Sequence, residues 1–490
     1  MTPEDDIVVR LERCSETLQA IVEDRLLLDR LDPEAKRALL IAAGRVSRPD
    51  RHELRATART RRRTQKREAR AADEAKLAKT KIRQLREASS FPTPGPEAID
   101  EPLPETPPVE LGEARKCYIC KRFFTAVHPF YDQLCTACGD FNYERRCRSA
   151  DLSGRTALVT GARVKIGYHA AVKLLRAGAS VIVSTRFPAD AAERYAAEPD
   201  FVEWQDRLEI YGLDLRHTPS VERFCAHLLK TRDRLDYIIN NACQTVRRPA
   251  GFYQHLLDAE RTLQLSASAE SLLEGNRALT QSPVRREDTL ADSVALSQLP
   301  LLPEDRGRDL ALFPAGQLDA DGQQVDLRGR NSWRLALDEV PTVELLEVQL
   351  VNAIAPYVLN GRLRALMNRT PERDKHIVNV SAMEGQFYRT YKTDKHPHTN
   401  MAKAALNMMT RTSAVDYAGD GIHMNSVDTG WVTDEDPAAL AARKIEVHGF
   451  HPPLDIVDGA ARIVDPVFES ALTGTHHYGL FLKDYRPIPW

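Results

Sequence analysis

Four of the eight cysteines form two pairs, Cys117-Tyr-Ile-Cys120 and, fourteen residues on, Cys135-Thr-Ala-Cys138. A CxxC turn presents two thiolates to one ion, and a hairpin that returns a second such turn completes a tetrahedral S4 zinc site. Four sulfurs leave no open coordination position, so the spacing predicts a structural zinc rather than a catalytic one. Metal would hold together a unit of about forty residues that is too small for a good core, such sites contributing on the order of 10 kcal/mol of apparent binding energy. His128 and Cys147 are spare ligands better read as ordinary loop and boundary residues. A redox CxxC is the weaker alternative, because the two pairs together satisfy one metal.

A second constellation is Thr156-Ala-Leu-Val-Thr160-Gly161, running into Ala162-Arg163-Val164-Lys165-Ile166-Gly167 and the helix-like YHAAVKLLRAGA. A buried strand turns sharply into a helix whose free N–H groups face the turn. Glycine at 161 permits the bend and glycine at 167 close approach, so the helix start can receive a pyrophosphate. Further strand-like runs follow: SVIVSTR ends at Arg186, LEIYGLDL carries Asp214 and Leu215 follows it, and LDYIIN leads to Asn240-Asn241-Ala242. An acid after the second strand would bind a ribose 2′-hydroxyl, whereas Arg186 complements a 2′-phosphate, so NADP(H) is expected over NAD.

The elements that carry these groups occupy part of a long chain. With 490 residues, 24 Gly, 29 Pro and 42% hydrophobic residues, two or three globular units plus solvated segments are expected. Lys and Arg number 68 against 70 Asp and Glu, so the chain as a whole is neither a polyanion nor a basic nucleic-acid binder. No run approaches the roughly 18 to 20 uninterrupted apolar residues that span a bilayer, and the N-terminus lacks the order of a secretory signal. A soluble, cytoplasmic protein with no membrane partner is expected.

Residues 1–90 read as helical, with apolar positions such as Ile7, Leu11, Leu18 and Ile21 at helical spacing. The second half is basic: 51–87 hold 14 Lys and Arg against 5 acids, densest at 61–63. This charged helix would contact nucleic-acid phosphates or a protein partner, or remain solvated or self-associate. Residues 91–112, rich in proline and acids, predict an extended linker. A zinc-ribbon-like unit occupies 113–150, and from 151 to 490 buried strands alternate with helices. An insertion at about 247–339, rich in Ser, Asp, Arg and Gln, predicts a lid, a small subdomain or a partly mobile loop near the ligand-binding edge of the sheet.

From about Leu152 to Trp490 these motifs resemble the short-chain dehydrogenase/reductase family, which implies an α/β fold: a single Rossmann-type, doubly wound, mostly parallel sheet. The turn is similar to the family's TGxxxGxG, Asp214 stands where an acid commonly contacts adenine, and NNAC resembles NNAG. Asn352, Ser381 and Lys403 match members of the catalytic tetrad. Asn425-Ser426-Val427-Asp428-Thr429-Gly430-Trp431-Val432 is similar to the NxVxPG segment beside the nicotinamide, with Thr433 near the threonine that touches its amide. The resemblance implies a dinucleotide held by Gly161, Arg163, Lys165, Ile166, Gly167, Arg186, Asp214, Leu215, Asn241, Ala242, Lys403, Gly430, Val432 and Thr433. Lys165 replaces the family's central glycine and, with Arg163, brings cations near the phosphates.

The tetrad tyrosine position is Thr399, four residues before Lys403. A threonine hydroxyl is far too weak an acid to replace a phenol with a reference pKa of about 10. His396, seven residues before Lys403, is the first substitute, because a histidine titrates where acid–base work is useful. Tyr388 is the next, and Tyr391 and His398 are also near. Alternatively these residues cap and pack the helix start, while Asn352, Ser381 and Lys403 serve structure. Two functions follow. The first is an NADP(H)-dependent oxidoreductase acting on a small carbonyl, alcohol or related substrate with a non-standard proton donor. The other is an NADP(H)-binding regulatory or sensor protein whose N-terminal region engages nucleic acid or a protein. The resemblance also implies a homo-oligomer.

Overall fold

The computed structural model describes residues 3–88, 91–95, 109–281, 293–306, 311–319, 323–388, 392–433, 435–448 and 451–490. Most of the expected linker, Tyr391 and three stretches of the insertion lie outside the described residues. The chain divides into two compact units, Met1–Asp73 and Glu74–Trp490.

The first unit contains helices Pro3–Glu23 and Pro33–Ser47, separated by a 3-10 turn at Arg25–Arg30. Asp32 caps the second helix by accepting the Glu34 and Ala35 N–H groups, and Pro33 presets its first turn. Ile7, Leu11, Val22, Leu40 and Ile41 are all exposed. The helix Arg51–Leu77 begins in this unit, with Arg55, Arg59, Arg61, Arg62, Arg63 and Lys66 exposed.

The second unit is built on an eight-stranded sheet of order β10-β9-β8-β7-β6-β3-β4-β5. Its strands are β3 (Thr156–Thr160), β4 (Ser180–Thr185), β5 (Leu208–Gly212), β6 (Tyr237–Asn240), β7 (Lys375–Ser381), β8 (Ile422–Asp428), β9 (Phe481–Lys483) and β10 (Arg486–Ile488). All pairs are parallel except β9 with β10. Apolar runs such as ALV, VIV and II are buried on both faces, because helical crossovers cover the sheet above and below. Helices Lys165–Arg176 and Ile456–Thr473 pack on one face, and Thr218–Thr231 and Ala355–Met367 on the other.

One helical run, Thr342–Met367, is long and apolar enough by composition to cross a membrane. It is a core element of the fold: Leu359, Leu363 and Leu366 pack into the sheet, and Glu344, Glu347 and Asn352 are buried within it.

A separate two-stranded hairpin, β1 (Val109–Lys116) with β2 (Phe123–Val127), carries the first CxxC at its turn. This corrects the linker boundary: prolines end at 108, every later residue of VELGEARK has an N–H to donate, and the strand begins inside 91–112. The cysteine unit is also no independent domain ending at 150. Arg146, buried, donates to Asp455 at 2.6 Å and Asp458 at 3.0 Å, and the Tyr131 hydroxyl donates to Asp458 at 2.6 Å. Buried ion pairs with the helix Ile456–Thr473 fuse it to the sheet, and Ile82 from the 74–95 segment joins the same apolar cluster.

The connection from β6 to β7 holds the insertion. It forms short helices, including Gln254–Thr262 and Glu274–Gln281, around a small core of Phe187, Phe252, Tyr253, Leu256 and Phe313. Arg247 anchors it through a bidentate pair with Asp305 and a 3.0 Å contact to Glu347. The insertion is thus a small subdomain, the second of the three forms expected.

Candidate functional site

The strand β3 ends at Thr160, Gly161 takes a φ of +65°, and the helix Lys165–Arg176 follows. A side chain at 161 would stand 2.8 Å from the Ala242 backbone. At Gly167 a Cβ would lie 2.3 Å from Asn241 Nδ2 and 2.6 Å from the Gly161 carbonyl oxygen. Asn241 in turn donates to the Thr160 and Gly161 carbonyls, both at 3.1 Å, and the Ala242 N–H donates to Thr160 Oγ1. The NNAC segment therefore braces the turn, and the two glycines are what let strand, turn and helix approach so closely.

Above this turn lies a cavity of about 610 Å³. Gly161, Arg163, Lys165, Ile166, Gly167, Arg186, Asp214, Leu215, Asn241, Ala242 and Thr433 line it. Gly430, Val432 and Lys403 do not. Its far wall comes from the insertion, through Phe252, Tyr253, Gln324, Asp326 and Asn331 among others. Arg186 donates to the Tyr253 hydroxyl at 2.9 Å and its guanidinium carbon lies 4.5 Å from that ring's centroid. The surrounding arginines 186, 216 and 248 outweigh burial and hold the Tyr253 phenol below its ordinary pKa.

Two expected contacts are engaged within the protein, and a third is in place but strained. Arg163 is buried and paired with Asp190 at 2.7 Å, so its charge is spent on the helix Pro188–Ala196 rather than offered to phosphates. Asp214, where an adenine contact was expected, is buried and held by Arg216, whose guanidinium keeps its carboxyl below the usual range despite burial. Lys165 does sit at the turn, in the left-handed region at φ +57°, where the family's glycine costs nothing and a lysine is strained.

None of the tetrad positions lines the cavity, although Asn352 is bonded to Gln244, which does. Asn352 lies in a π-helical turn, Leu350–Ile354, and clamps the Gln244 backbone, accepting its N–H at 2.7 Å and donating to its carbonyl at 3.1 Å. Ser381 donates to Asn407 Oδ1 at 2.6 Å, and Lys403 Nζ donates to the Val380 carbonyl at 2.7 Å. Both are buried. Ser381 is the last residue of β7, and Ala382 beyond it has no hydroxyl. Thr399 is buried in the first turn of the helix Pro397–Gly419.

The candidate donors separate clearly. Tyr388, 93% exposed, faces solvent and is not part of the site. His398 lies 3.3 Å from Glu344, both buried. His396, at φ +45°, stacks on Trp333 of the insertion with ring centroids 3.8 Å apart and planes 5° from parallel. Burial lowers its pKa, so the ring is neutral near pH 7.

The second site is the cysteine cluster. Sγ atoms of Cys117, Cys120, Cys135 and Cys138 all lie within 4.8 Å of one another. Cys120 and Cys135 are 3.8 Å apart, the separation that tetrahedral Zn–S bonds of about 2.3 Å produce. The Cys135 N–H points at Cys117 Sγ at 3.4 Å. His128 is no ligand: Nδ1 accepts the Phe130 and Tyr131 N–H groups, Nε2 is 3.2 Å from Asp140, and the ring fills the space over Gly139. Cys147 is buried outside the cluster.

Sequence reasoning missed Tyr253, Asn407 and the 323–326 segment, none of which belongs to a motif.

A mostly parallel sheet with a glycine turn at the mouth of a cleft defines a doubly wound α/β fold. Comparison with known proteins agrees. Residues 155–276 match the family model described as short chain dehydrogenase, and 334–448 match that described as enoyl-(acyl carrier protein) reductase. The "uncharacterized protein R665" of Acanthamoeba polyphaga mimivirus is 32% identical over 370 residues, 72% of this chain and 71% of the viral protein. Retinol dehydrogenase 14 of Mus musculus is 37% identical over 116 residues, 21% of this chain and 34% of that protein. The structure of NADPH-bound carbonyl reductase from chicken fatty liver aligns with a TM-score of 0.42 at 18% identity, covering 69% of this chain and all of that one. The chain belongs to the short-chain dehydrogenase/reductase family of oxidoreductases.

Proposed function

We propose that the protein is an NADP(H)-dependent oxidoreductase whose cofactor lies in the cleft between the glycine turn and the insertion. The observation that carries this reading is Arg186, seated on Tyr253 at the cavity wall with no described carboxylate within ion-pair distance. A guanidinium held so is preorganised for a phosphate's oxygens. The glycine turn and the N–H groups beginning the helix Lys165–Arg176 would hold the pyrophosphate. When bound, the nicotinamide supplies or accepts a hydride. The chain would hold zinc on Cys117, Cys120, Cys135 and Cys138.

Titrating NADPH and NADH by fluorescence tests the cofactor assignment. Arg186→Glu should weaken NADPH by about tenfold or more, the scale of one lost charge-assisted hydrogen-bonded pair, while leaving NADH unchanged or improved. Equal loss for both coenzymes would sink the assignment.

For the proton, we propose His396 as the neutral base that accepts it when an alcohol is oxidised: a Thr399 hydroxyl cannot replace the phenol, Tyr388 faces solvent, and stacking on Trp333 fixes the His396 ring. His396→Asn should lower kcat by about 100-fold, the usual span of general acid–base catalysis, with the NADPH Kd unchanged. A panel of carbonyl and alcohol substrates would provide the assay.

A second reading, a sensor that binds NADP(H) without turnover, is favoured by one observation: Ser381, Thr399 and Lys403 are all buried, with Ser381 and Lys403 bonded inward. In that case the exposed arginines of Arg51–Leu77 would meet nucleic-acid phosphates, and cofactor would bind with no substrate of the panel consumed.

A further inference from the structure

The first CxxC turn of the cysteine unit contacts the Gly430–Trp431 bend, which leads into Thr433 of the cavity wall. Tyr118, between Cys117 and Cys120, accepts the Trp431 N–H on its hydroxyl at 3.0 Å. Trp431 follows Gly430, whose φ is +76° and whose lacking side chain leaves room for Leu454 and for the Tyr118 hydroxyl, which would lie 2.6 Å and 3.6 Å from a Cβ. Asp428 fixes the other end of this bend by accepting the Gly430 N–H at 2.5 Å and the Met383 N–H at 2.9 Å. Lys483 lies over the Tyr118 ring and 3.7 Å from Asp428.

The same unit, together with Arg86 of the helix Lys81–Glu87, also grips residues 451–458, which include Ile456 of the wall. Gln133 donates to the His451 carbonyl at 2.6 Å, Arg86 donates to the Pro452 and Leu454 carbonyls, and Arg146 holds Asp455 and Asp458. Thr433 and Ile456, in and just after these segments, line the cavity, and Ile166 of the phosphate turn packs on the cluster formed by Cys117, Leu134, Val432 and Leu454. Segments that lead into one face of the cleft are thus packed against the unit that carries the four cysteines.

We propose that Tyr118 is a positioning residue for the cofactor cleft, transmitting the order imposed by a metal on the four cysteines to the Gly430–Trp431 bend, so that metal occupancy and NADP(H) affinity are linked. This rests on the cofactor reading above. Linkage is reciprocal: if metal strengthens cofactor binding, cofactor must retain metal by the same factor. A purely structural hydroxyl would affect stability without producing that reciprocity.

The test uses the full-length, zinc-loaded protein. Tyr118→Phe keeps the ring under Lys483 and deletes only the hydroxyl, leaving the sulfurs untouched. Its zinc content, by elemental analysis, should equal that of wild type, while its NADPH Kd rises roughly three- to tenfold, the span of one hydrogen bond. Stripping zinc from wild type with a chelator should weaken NADPH at least as much. Saturating NADPH should slow zinc loss to a chromogenic chelator in wild type and much less in Tyr118→Phe. Equal NADPH affinity in both proteins, with zinc loss indifferent to NADPH, would overturn the linkage while leaving the cofactor reading intact. Failure of zinc-loaded wild type to bind NADPH at all would overturn both.

Discussion

Gly167→Ala should weaken NADPH binding by at least about tenfold, from an over-packing cost of about 1–3 kcal/mol imposed where the phosphate turn is formed. The added methyl would meet Asn241 Nδ2 at 2.3 Å and the Gly161 carbonyl at 2.6 Å. Neither neighbour can yield independently. Asn241 is already committed to the Thr160 and Gly161 carbonyls, and Gly161 is itself pressed against Ala242. The helix start must therefore move off the turn, spoiling the convergence of N–H groups that would receive the pyrophosphate. Isothermal titration with NADPH, alongside a thermal melt to show that the fold persists, gives the measurement. Affinity equal to that of wild type would mean that the turn does not hold the cofactor.

The second large effect is on stability. Arg146→Ala should lower the unfolding free energy by about 3–5 kcal/mol, because removing one partner from a buried ion pair strands the other. Here two carboxylates would be stranded, Asp455 and Asp458, both buried at the start of the helix Ile456–Thr473. Asp455 would retain its capping bonds to Val457 and Asp458 N–H groups, and Asp458 its bonds from Tyr131 and the Asp455 N–H. Neutral donors do not replace a guanidinium there: burial and the adjoining Asp455 already push the Asp458 carboxyl up with Arg146 present. The loss would also remove the stacking of Arg146 over Phe130 at 4.6 Å. Urea denaturation at constant m-value reports the change. A loss below about 1 kcal/mol would place this triad among ordinary surface pairs.

What the sequence disclosed follows from how local each feature is. The glycine turn, Arg186 and the four cysteines are legible because a short spacing alone dictates their geometry, and the structure groups them accordingly. The doubly wound sheet is legible because its strands are buried on both faces and read as unbroken apolar runs. Ser381 illustrates the opposite case. Its place at a strand end is evident, but whether it faces cleft or helix depends on Asn407, a partner 26 residues away. Arg163 and Asp214 looked like cofactor ligands until Asp190 and Arg216 claimed them, and nothing in a linear reading ranks an internal ion pair over an external phosphate. Tyr253 lies in an insertion without periodicity, and Tyr118 meets Trp431 across 313 residues. The departures therefore fall where tertiary partners, not neighbours in the chain, decide what a side chain does.

Arg146 and its acceptor Asp455 are 309 residues apart. At a synthesis rate of about 5–20 residues per second, the nascent cysteine unit waits roughly 15 to 60 s before its counter-ions leave the ribosome. During that interval its inner surface, including Phe130, Tyr131 and Leu134, has no helix Ile456–Thr473 to lie against. Early capture of an ion by the four thiols would give the emerging chain a fixed shape on which the last-made helix can dock, so the availability of metal during translation, as much as in the finished molecule, would govern the yield of native protein.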